Sequence, residues 1–408
     1  MTSAPSHIVH SARLVSGGLT TPDAWVAFTG STVSAVGSGT SWRLLGARTD
    51  NVTDAAGRWL TPGFIDIHCH GGGGFAFDDG TDRSSRADAI RTALAVHHSH
   101  GTTRVALSLV TASQADLESR LDAIADATET NPLVLGAHLE GPFLDDAFRG
   151  AHDPALLRAP DAESVARLLA AARGYLLQVT LAPELPGAPE AIRTLVDAGV
   201  SVAVGHSSAD YATALAAFEA GASILTHAFN GMRGIHHRAP GPVAAAARSS
   251  HVTLEIINDG VHVHPEVVRL AFASAPGRIA LITDAMAAAG SDDGNYLLGT
   301  LAVIVTDGVA RLANGGTGLG SIAGSTLTLD AALRRAVTEV GIPIEDAVTA
   351  LTETPARAVG RSRDLGLLAV GFAADAVLLG DDFAVDAVFA AGRKVLAYRP
   401  QRRCPRLP

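Results

Sequence analysis

The sequence contains almost no lysine, only two cysteines and no long apolar run. Lys394 is the single lysine among 408 residues. The two cysteines, Cys69 and Cys404, cannot build a disulfide framework. No apolar run approaches the roughly 18 residues of a transmembrane helix, and the sequence does not open on a basic segment followed by an apolar stretch. We therefore expect a cytoplasmic protein without a membrane partner.

The sequence also has fewer basic residues, 31 Lys and Arg, than acidic ones, 41 Asp and Glu. The formal net charge is -10, and charged residues make up 18% of the chain, whereas hydrophobic residues make up 47%. A negative protein is a poor ligand for the phosphate backbone of a nucleic acid, so we expect no nucleic-acid partner. The apolar content and the length predict a globular fold with one large domain and a second, smaller one.

The pattern of apolar residues divides the chain into three parts. Residues 1–60 contain short apolar runs separated by turns, without helical periodicity, which predicts part of a small β-domain. Residues 362–408 return to this pattern, with strands expected at Ala376–Leu379, Ala384–Ala390 and Lys394–Tyr398. We therefore predict one β-sandwich built from both chain ends, outside the central domain.

The central part, residues 61–361, alternates apolar runs with amphipathic, alanine-rich stretches. Eight strands are expected, at Phe64–Ile67, Thr103–Val110, Leu133–Leu139, Leu176–Leu181, Ser201–Val204, Ser223–Thr226, Val252–Ile257 and Arg278–Thr283. Eight strand-then-helix units over about 250 residues predict a (β/α)8 barrel of the TIM type. A doubly wound sheet is the alternative, but no Gly-x-Gly-x-x-Gly motif follows the first strand. A hairpin within 295–313 and helices at Thr326–Val340 and Ile344–Val359 should follow.

Histidine and carboxylate side chains stand where several of these strands end. His68 and His70 end the first strand, and the alternation of a strand places both on one face and Cys69 on the other. Strands three, five, six and eight end near Glu140, His206, His227 and Asp284. These ends meet at one face of a barrel, so the side chains should converge. Such nitrogen and oxygen ligands predict a zinc-type hydrolase site.

Longer motifs resemble a known family. In chain order they are Pro62–Gly71, His138–Phe143, Gly150–His152, Gly205–Ser207, Thr226–Met232, Asp259–His262, Thr283–Ala285 and Ile322–Ser325. They resemble the amidohydrolase superfamily and, within it, the N-acetylglucosamine-6-phosphate deacetylases. The resemblance covers essentially the whole chain, and its most specific part is His-Leu-Glu-Gly-Pro-Phe followed by Gly-Ala-His.

The resemblance implies metal-dependent hydrolysis of the acetamide of N-acetyl-D-glucosamine 6-phosphate. The metal would be zinc, or iron(II), with one tight site and a second site. In this interpretation Asp284 is the general acid and base, and His152 polarises the acetamide carbonyl. The implied metal ligands at the tight site are Glu140, His206 and His227. His68 and His70 would hold the second ion, and Asp284 would also touch the metal or its water.

The resemblance also implies how the sugar phosphate is held. Arg238 is expected to reach the active site of a partner subunit, which implies a homodimer. The implied substrate-binding residues are Ala151, His152, Asn230, Gly231, Arg238, Asp259, Gly260, His262, Ile322, Ala323 and Gly324.

The scarcity of lysine separates branches of the superfamily. Dihydroorotase-like, urease-like and hydantoinase-like relatives bridge two metals with a carbamylated lysine on strand four. Strand four here ends in Thr180-Leu181-Ala182-Pro183-Glu184, and Lys394 lies beyond the barrel. Any bridging oxygen must therefore come from a carboxylate, and Glu140 is the candidate.

Several alternatives stay open. The substrate can be the galactosamine epimer, or the enzyme can be another amidohydrolase, such as a D-aminoacylase or an isoaspartyl dipeptidase. Such an enzyme would lack the phosphate-holding set Asn230, Arg238 and His262. A non-catalytic binding protein with the same fold is a third alternative. For the metal count, the alternative to two ions is that His68 and His70 bond to water or to Asp66.

Overall fold

The computed structural model of the protein describes residues 5–46, 51–313 and 320–395. Cys404 and the end of the expected strand Lys394–Tyr398 lie outside these residues. Among the described residues, no helix combines the length and the apolar character that crossing a bilayer requires.

The described residues of the N-terminal part form mainly strands, with a short 3-10 turn at Ser41–Leu45. The strands are β1 (His7–Ser16), β2 (Leu19–Thr29), β3 (Thr32–Ser38), β4 (Val52–Asp54) and β5 (Trp59–Pro62).

The barrel begins with β6 (Phe64–Cys69), followed by the small hairpin of β7 (Gly71–Gly72) and β8 (Phe75–Ala76). The remaining barrel strands are β9 (Thr102–Val110), β10 (Val134–Glu140), β11 (Leu176–Leu181), β12 (Ser201–Val204), β13 (Ile224–Leu225), β14 (Thr253–Ile257) and β15 (Ile279–Ile282). They pair in parallel in the order β15-β14-β13-β12-β11-β10-β9-β6. The backbone N–H of Asp284 donates to the carbonyl of His68 at 2.8 Å, which brings the last strand back to the first.

One helix follows each of the first seven barrel strands. They are α1 (Arg83–Ser99), α2 (Gln114–Thr130), α3 (Ala162–Ala171), α4 (Ala188–Asp197), α5 (Tyr211–Glu219), α6 (Gly241–Arg248) and α7 (Pro265–Ser274). Side-chain caps set several starts; for example, Asp82 accepts a hydrogen bond from the backbone N–H of Ser85. The barrel strands are buried almost throughout, because the helices cover the outer face and the strands face one another inside. The predicted (β/α)8 barrel is confirmed.

The segment after β15 completes the fold. A three-stranded sheet of β16 (Gly294–Leu298), β17 (Leu301–Thr306) and β18 (Val309–Leu312) comes first. It precedes α8 (Leu329–Arg335), which continues as a π-helical turn, α9 (Ile344–Leu351) and α10 (Glu353–Ala358). The last strands are β19 (Ala376–Leu379), β20 (Val385–Ala390) and β21 (Arg393–Val395).

Both ends of the described chain share one eight-stranded sheet. Its order is β21-β20-β19-β5-β1-β2-β3, and β4 pairs with β1. Apolar residues from both halves, such as Phe28, Leu60 and Phe389, fill its own hydrophobic core. The expected β-sandwich from both chain ends is therefore confirmed. The division at 1–60, 61–361 and 362–408 stays a prediction.

Two elements differ from the expectations. The expected helix Ile344–Val359 is two helices that meet at Thr352, since Pro355 has no N–H to continue the hydrogen-bond ladder. The expected hairpin within 295–313 has a third strand, β16.

A buried ion pair connects the barrel to the shared sheet. Nε of Arg104, on β9, lies 2.6 Å from Oδ2 of Asp375, which directly precedes β19, and both side chains are 7% exposed. The other carboxylate oxygen of Asp375 accepts from the backbone N–H of Ala391 at 2.7 Å. A buried charge is costly when its partner is removed, so this pair is needed where the two parts meet.

We predict that Asp375→Asn lowers the free energy of unfolding by about 3 kcal/mol, because the Arg104 guanidinium stays buried without its counter-charge. Urea unfolding followed by circular dichroism measures the change. Asp88→Asn is the matched control, since Asp88 pairs with Arg91 at 2.8 Å on the surface. That change should cost less than about 0.5 kcal/mol. Equal losses in the two variants would contradict the prediction.

Candidate active site

Seven predicted side chains lie together at the carboxyl ends of the barrel strands. Six stand at a strand end or within two residues of one, and His152 lies in the loop after β10. All seven are buried: His68, His70, Glu140, His152, His206, His227 and Asp284. We refer to them as the His/Asp/Glu cluster.

Glu140 lies at the centre of this cluster. Its Oε1 is 3.1 Å from Nε2 of both His206 and His227, and those two nitrogens are 2.9 Å apart. Its Oε2 lies 3.2 Å from Nε2 of His70 and 3.5 Å from Nε2 of His152. One carboxylate therefore contacts imidazoles from four different segments of the chain.

Asp284 closes the other side of the cluster. Its Oδ1 lies 3.5 Å from Nε2 of His68 and 3.3 Å from Nε2 of His70. The two histidine nitrogens are 3.2 Å apart. As expected from strand alternation, both rings face the barrel interior, whereas Sγ of Cys69 lies 3.3 Å from Nε2 of His97 on α1.

The outer nitrogens of three cluster histidines are tied to oxygens that can only accept a hydrogen bond. Each Nδ1 therefore carries the hydrogen, and each Nε2 turns a lone pair toward the cluster. The acceptors are the carbonyl of Phe148 for His206 (2.9 Å), the carbonyl of Asn230 for His227 (3.2 Å) and Oε2 of Glu255 for His68 (3.1 Å).

This arrangement fits a divalent metal ion. Lone pairs that face each other at such distances repel unless a cation or a proton lies between them, and imidazole nitrogen with carboxylate oxygen suits zinc or iron(II). The ligand atoms of His68, His70, Glu140 and Asp284 all lie within 4.8 Å of one another. Nδ1 of His70 has no hydrogen-bond partner among the described residues, so this ring is held less firmly.

A separate buried group also has metal-binding residue types, namely Asp66, Cys69 and His97. Two of them already have protein partners. The hydroxyl of Thr283 donates to Asp66 at 2.6 Å, and Nε2 of His97 lies 2.8 Å from the carbonyl of Gly71. We therefore assign no metal to this group.

The electrostatics of the cluster favour positive charge between the carboxylates. Burial alone would lower the pKa of His70, but hydrogen bonds to Asp284 and Glu140 raise it to about 9. Burial would raise the pKa of Glu140, but the charge of His68 and hydrogen bonds from histidines hold it well below its usual range. Protons and a divalent cation compete for the same lone pairs, so an ion can replace these protons.

His152 behaves in the opposite way. Burial lowers the pKa of His152 to about 4, and its contact with Glu140 only partly opposes this effect. The imidazole is therefore neutral at pH 7. Such a ring offers one N–H donor and one acceptor rather than a charge.

The backbone is strained where the cluster forms. His206, His227 and Asp284 have φ values of 46°, 25° and 49°. These values lie in a left-handed region that residues other than glycine rarely adopt. Gly231 is needed beside them, since a Cβ on its backbone would lie 3.0 Å from Nδ1 of His206. The sharp turns direct the three side chains inward from the strand ends.

The predicted substrate residues around Ile322–Gly324 lie beside the cluster. The backbone N–H of Ser325 donates to the carbonyl of Asp284 at 2.7 Å, and that of Met286 donates to the carbonyl of Ser325 at 2.9 Å. This pairing places Gly324 next to Asp284, since a Cβ on Gly324 would lie 3.0 Å from the Asp284 carbonyl oxygen, and Ile322 and Ala323 directly precede it in the chain. Ala151 packs against the same small apolar cluster as Ala323.

Two further predicted segments follow β13 and β14. Asn230 donates from Nδ2 to the carbonyl of His227 at 3.3 Å, so it is folded back toward the cluster. Nδ1 of His262 lies 2.7 Å from Oδ2 of Asp259. Burial would lower the pKa of His262, but the hydrogen bond and charge of Asp259 raise it. Gly260 lies under Arg335, whose guanidinium fills the space that a side chain would need.

Arg238 is not among the residues that the structure brings to the cluster of its own chain. It lies on an exposed loop after β13, and its contacts stay within that loop: NH1 lies 2.7 Å from Nε2 of His237, and its backbone N–H donates to Nδ1 of His236 at 3.3 Å.

Glu255 was not predicted as a site residue. Its carboxylate lies fully buried inside the barrel, where Oε2 faces His68 and Oε1 accepts from Nε2 of Gln178 at 2.8 Å. The backbone N–H of His227 also donates to Oε2 at 3.3 Å. A charged residue in the middle of the apolar run Val252–Ile257 was the available signal, because such a strand position is normally apolar.

His138 is a structural neighbour of the cluster. Its Nδ1 lies 2.8 Å from Oγ of Ser108, and its Nε2 lies 2.9 Å from Oγ1 of Thr180. The ring packs edge-on against His68 at 4.5 Å between centroids. His138 therefore packs against the ring of His68, while both of its own ring nitrogens are held by hydroxyl groups.

Comparison with protein families agrees with this geometry. The model of the Amidohydrolase family matches residues 59–395. The chain belongs to the amidohydrolase family. Members of this family depend on a metal, and the buried His/Asp/Glu cluster of this amidohydrolase is suited to hold one.

Two relatives are similar in sequence over about three quarters of this chain. This amidohydrolase is 40% identical over 323 residues to N-acetylgalactosamine-6-phosphate deacetylase of Escherichia coli O157:H7. The matched region covers 78% of this chain and 82% of the relative. It is 38% identical over 312 residues to N-acetylglucosamine-6-phosphate deacetylase of Vibrio furnissii, with 76% of each chain covered.

A solved structure is similar over almost the full length. It is a mutant N-acetyl-D-glucosamine-6-phosphate deacetylase from Mycobacterium smegmatis in complex with N-acetyl-D-glucosamine-6-phosphate. The identity is 41%, the TM-score is 0.88, and the match covers 96% of this chain and 99% of the other.

Proposed function

We propose that this amidohydrolase hydrolyses the acetamide of N-acetyl-D-glucosamine 6-phosphate to glucosamine 6-phosphate and acetate, in the breakdown of amino sugars. The observation that carries the proposal is the 41% identity, across 96% of the chain, to a protein whose structure contains this sugar phosphate. The His/Asp/Glu cluster supports it, because metal-dependent amide hydrolysis uses a metal site, a proton carrier and a hydrogen-bond donor to the carbonyl oxygen side by side. A phosphorylated sugar suits a cytoplasmic enzyme.

The proposed metal ligands divide into two sets that share Glu140. The tight set adds His206 and His227, whose outer nitrogens are both fixed by backbone carbonyls. The second set adds His68, His70 and Asp284. Zinc is the proposed metal, and iron(II) suits the same donors. When bound, the metal supplies a Lewis acid that activates water and balances negative charge on the carbonyl oxygen.

Asp284 is the proposed proton carrier. Its carboxylate accepts a proton from the attacking water as the new bond to the carbonyl carbon forms. It then returns that proton to the nitrogen as the C–N bond breaks, so acetate and the free amine leave. His152, on the other side of Glu140, donates a hydrogen bond to the carbonyl oxygen and stabilises the charge that develops there.

The remaining predicted residues would hold the sugar phosphate. Ile322, Ala323 and Gly324 would line the sugar beside Asp284, together with Ala151. His262, whose pKa is raised by Asp259, suits an anionic phosphate when its ring is protonated. Asn230, Gly231 and Gly260 would bring polar backbone and amide groups to the same side.

We infer a homodimer in which Arg238 reaches the site of the partner subunit. The exposed position of its loop and the absence of any carboxylate partner of Arg238 among the described residues support this inference, since its guanidinium contacts only His237 there. The arginine would add a second positive charge at the phosphate.

The galactosamine epimer is the second candidate substrate, since the relative at 40% identity bears that name. The other amidohydrolase activities, D-aminoacylase and isoaspartyl dipeptidase, remain alternatives that the phosphate residues disfavour. A non-catalytic binding protein would have no need of Asp284 and His152 beside a metal site.

We expect acetate release from N-acetyl-D-glucosamine 6-phosphate, measured by a coupled acetate assay, and much slower release from the unphosphorylated sugar. The galactosamine 6-phosphate epimer, assayed in parallel, decides between the two candidate substrates. Asp284→Asn should lower kcat by about 10²- to 10⁴-fold, because no carboxylate then carries the proton. Activity of this variant within twofold of wild type would remove Asp284 from the mechanism.

We expect more than one equivalent of divalent metal per chain in protein purified without chelator, measured by elemental analysis. His68→Asn should lower this number by about one, because the second set loses a ligand. Glu255→Gln should weaken the same site by about 10- to 100-fold without removing a ligand, since a neutral amide is a weaker acceptor than a carboxylate for the Nδ1–H that orients His68. A single equivalent in wild type and in both variants would mean that one ion is bound.

We expect Arg238→Ala to raise KM for the phosphorylated sugar far more than KM for its unphosphorylated analogue, because only the former carries the phosphate charge. If Arg238 serves the partner's site, subunit exchange between Arg238→Ala and Asp284→Asn should restore activity in mixed dimers. Verified mixed dimers without any recovery would place the arginine in the site of its own chain.

A further inference from the structure

The second barrel strand contributes a residue to the cluster that no motif indicated. Thr111 directly follows β9 and is 4% exposed. Its Oγ1 lies 2.8 Å from Nδ1 of His152, and its backbone N–H points to the same nitrogen with 3.5 Å between the heavy atoms. Two groups of one residue thus face a single ring nitrogen.

These contacts decide which nitrogen of His152 carries the hydrogen. A hydroxyl can donate or accept, but a backbone N–H can only donate. Because the N–H of Thr111 points at Nδ1, this nitrogen must be the acceptor, and the hydroxyl donates to it as well. In the neutral ring the hydrogen is then on Nε2, which faces Oε2 of Glu140 at 3.5 Å.

The surroundings hold the hydroxyl of Thr111 in place. Gly141, which follows Glu140, has φ of +93°, and a Cβ at that position would clash with Oγ1 of Thr111. The side chain of Leu144 lies against the same position. The glycine therefore leaves the space in which the hydroxyl reaches His152.

We propose that Thr111 is a positioning residue that fixes His152 as the Nε2–H tautomer, so that this N–H can be donated to the carbonyl oxygen of the acetamide. The proposal rests on the proposed function for its effect on catalysis, but the tautomer itself can be measured without substrate. A ring with hydrogen on Nδ1 would instead present a lone pair to the carbonyl oxygen and repel it.

The test compares Thr111→Val, which removes the hydroxyl at nearly constant volume, with Thr111→Ser, which keeps it. For Val we expect kcat to fall by about tenfold with KM changed less than twofold, since a hydrogen bond of ordinary strength is lost and the backbone N–H remains. Ser should stay within about twofold of wild type in kcat. Thr102→Val is the matched control, because this buried hydroxyl at the other end of β9 has no hydrogen-bond partner among the described residues.

The second readout is the nitrogen NMR spectrum of protein with labelled histidine in the absence of substrate, with His152→Asn used to assign the ring signals. Wild type should show Nε2 protonated and Nδ1 as acceptor. Thr111→Val loses the 2.8 Å hydroxyl contact and keeps only the longer backbone N–H contact at 3.5 Å, so it should show a partial shift toward the other tautomer. Hydrogen on Nδ1 in wild type would overturn the proposal even if Thr111→Val fails to fold.

The kinetic and spectroscopic results separate the possible failures. If Thr111→Val changes neither tautomer nor kcat, or changes the tautomer while kcat stays the same, the positioning role is wrong. Equal losses of kcat in the Val and Ser variants would indicate a packing effect and also overturn it. If wild type hydrolyses none of the acetamides, the proposed function fails, whereas the NMR spectra still decide the tautomer.

Discussion

The active site depends on a single buried carboxylate. Glu140 would be costly to bury alone, and its two oxygens are balanced by imidazoles from the ends of β6, β12 and β13 and from the loop after β10. Each of these rings must present the correct nitrogen, so the hydrogen bonds on their outer sides are as necessary as the contacts at the centre. A carbonyl, a carboxylate or a hydroxyl performs that task for His206, His227, His68 and His152. The cluster is thus one electrostatic unit with its tautomers set from outside.

The barrel holds the cluster side chains in place at the cost of local backbone strain. Three cluster residues, His206, His227 and Asp284, have left-handed backbone conformations, which are unfavourable for side chains of this kind. The parallel ladder on one side of each turn and the packed helices on the other hold these conformations. The strained turns are short, so the side chains they carry have little freedom to move away from Glu140.

The sequence allowed much of this to be predicted, for clear physical reasons. Barrel strands are buried on both faces and appear as apolar runs, and polar residues at their ends, such as Glu140 and Asp284, stand out against them. Thr111 and Glu255 could not be assigned because their partners lie on segments that are distant in the sequence. A threonine after an apolar strand has many uses, and only the register of β9 beside β10 brings it to His152.

The shared sheet makes the barrel an insertion within a smaller β-structure. Strand β5 leads directly into the barrel, yet one of its neighbours, β19, comes from the far side of it: Leu60 pairs with Leu378 and Pro62 with Ala376. During synthesis, one edge of β5 therefore stays unpaired until the whole barrel has been made. Exposed strand edges are sites of aggregation. Folding of the barrel brings β5 and β19 together, so the pairing of these two strands completes the sheet only after the barrel has formed. Any interruption of translation within the barrel would leave the first strands without their permanent neighbour.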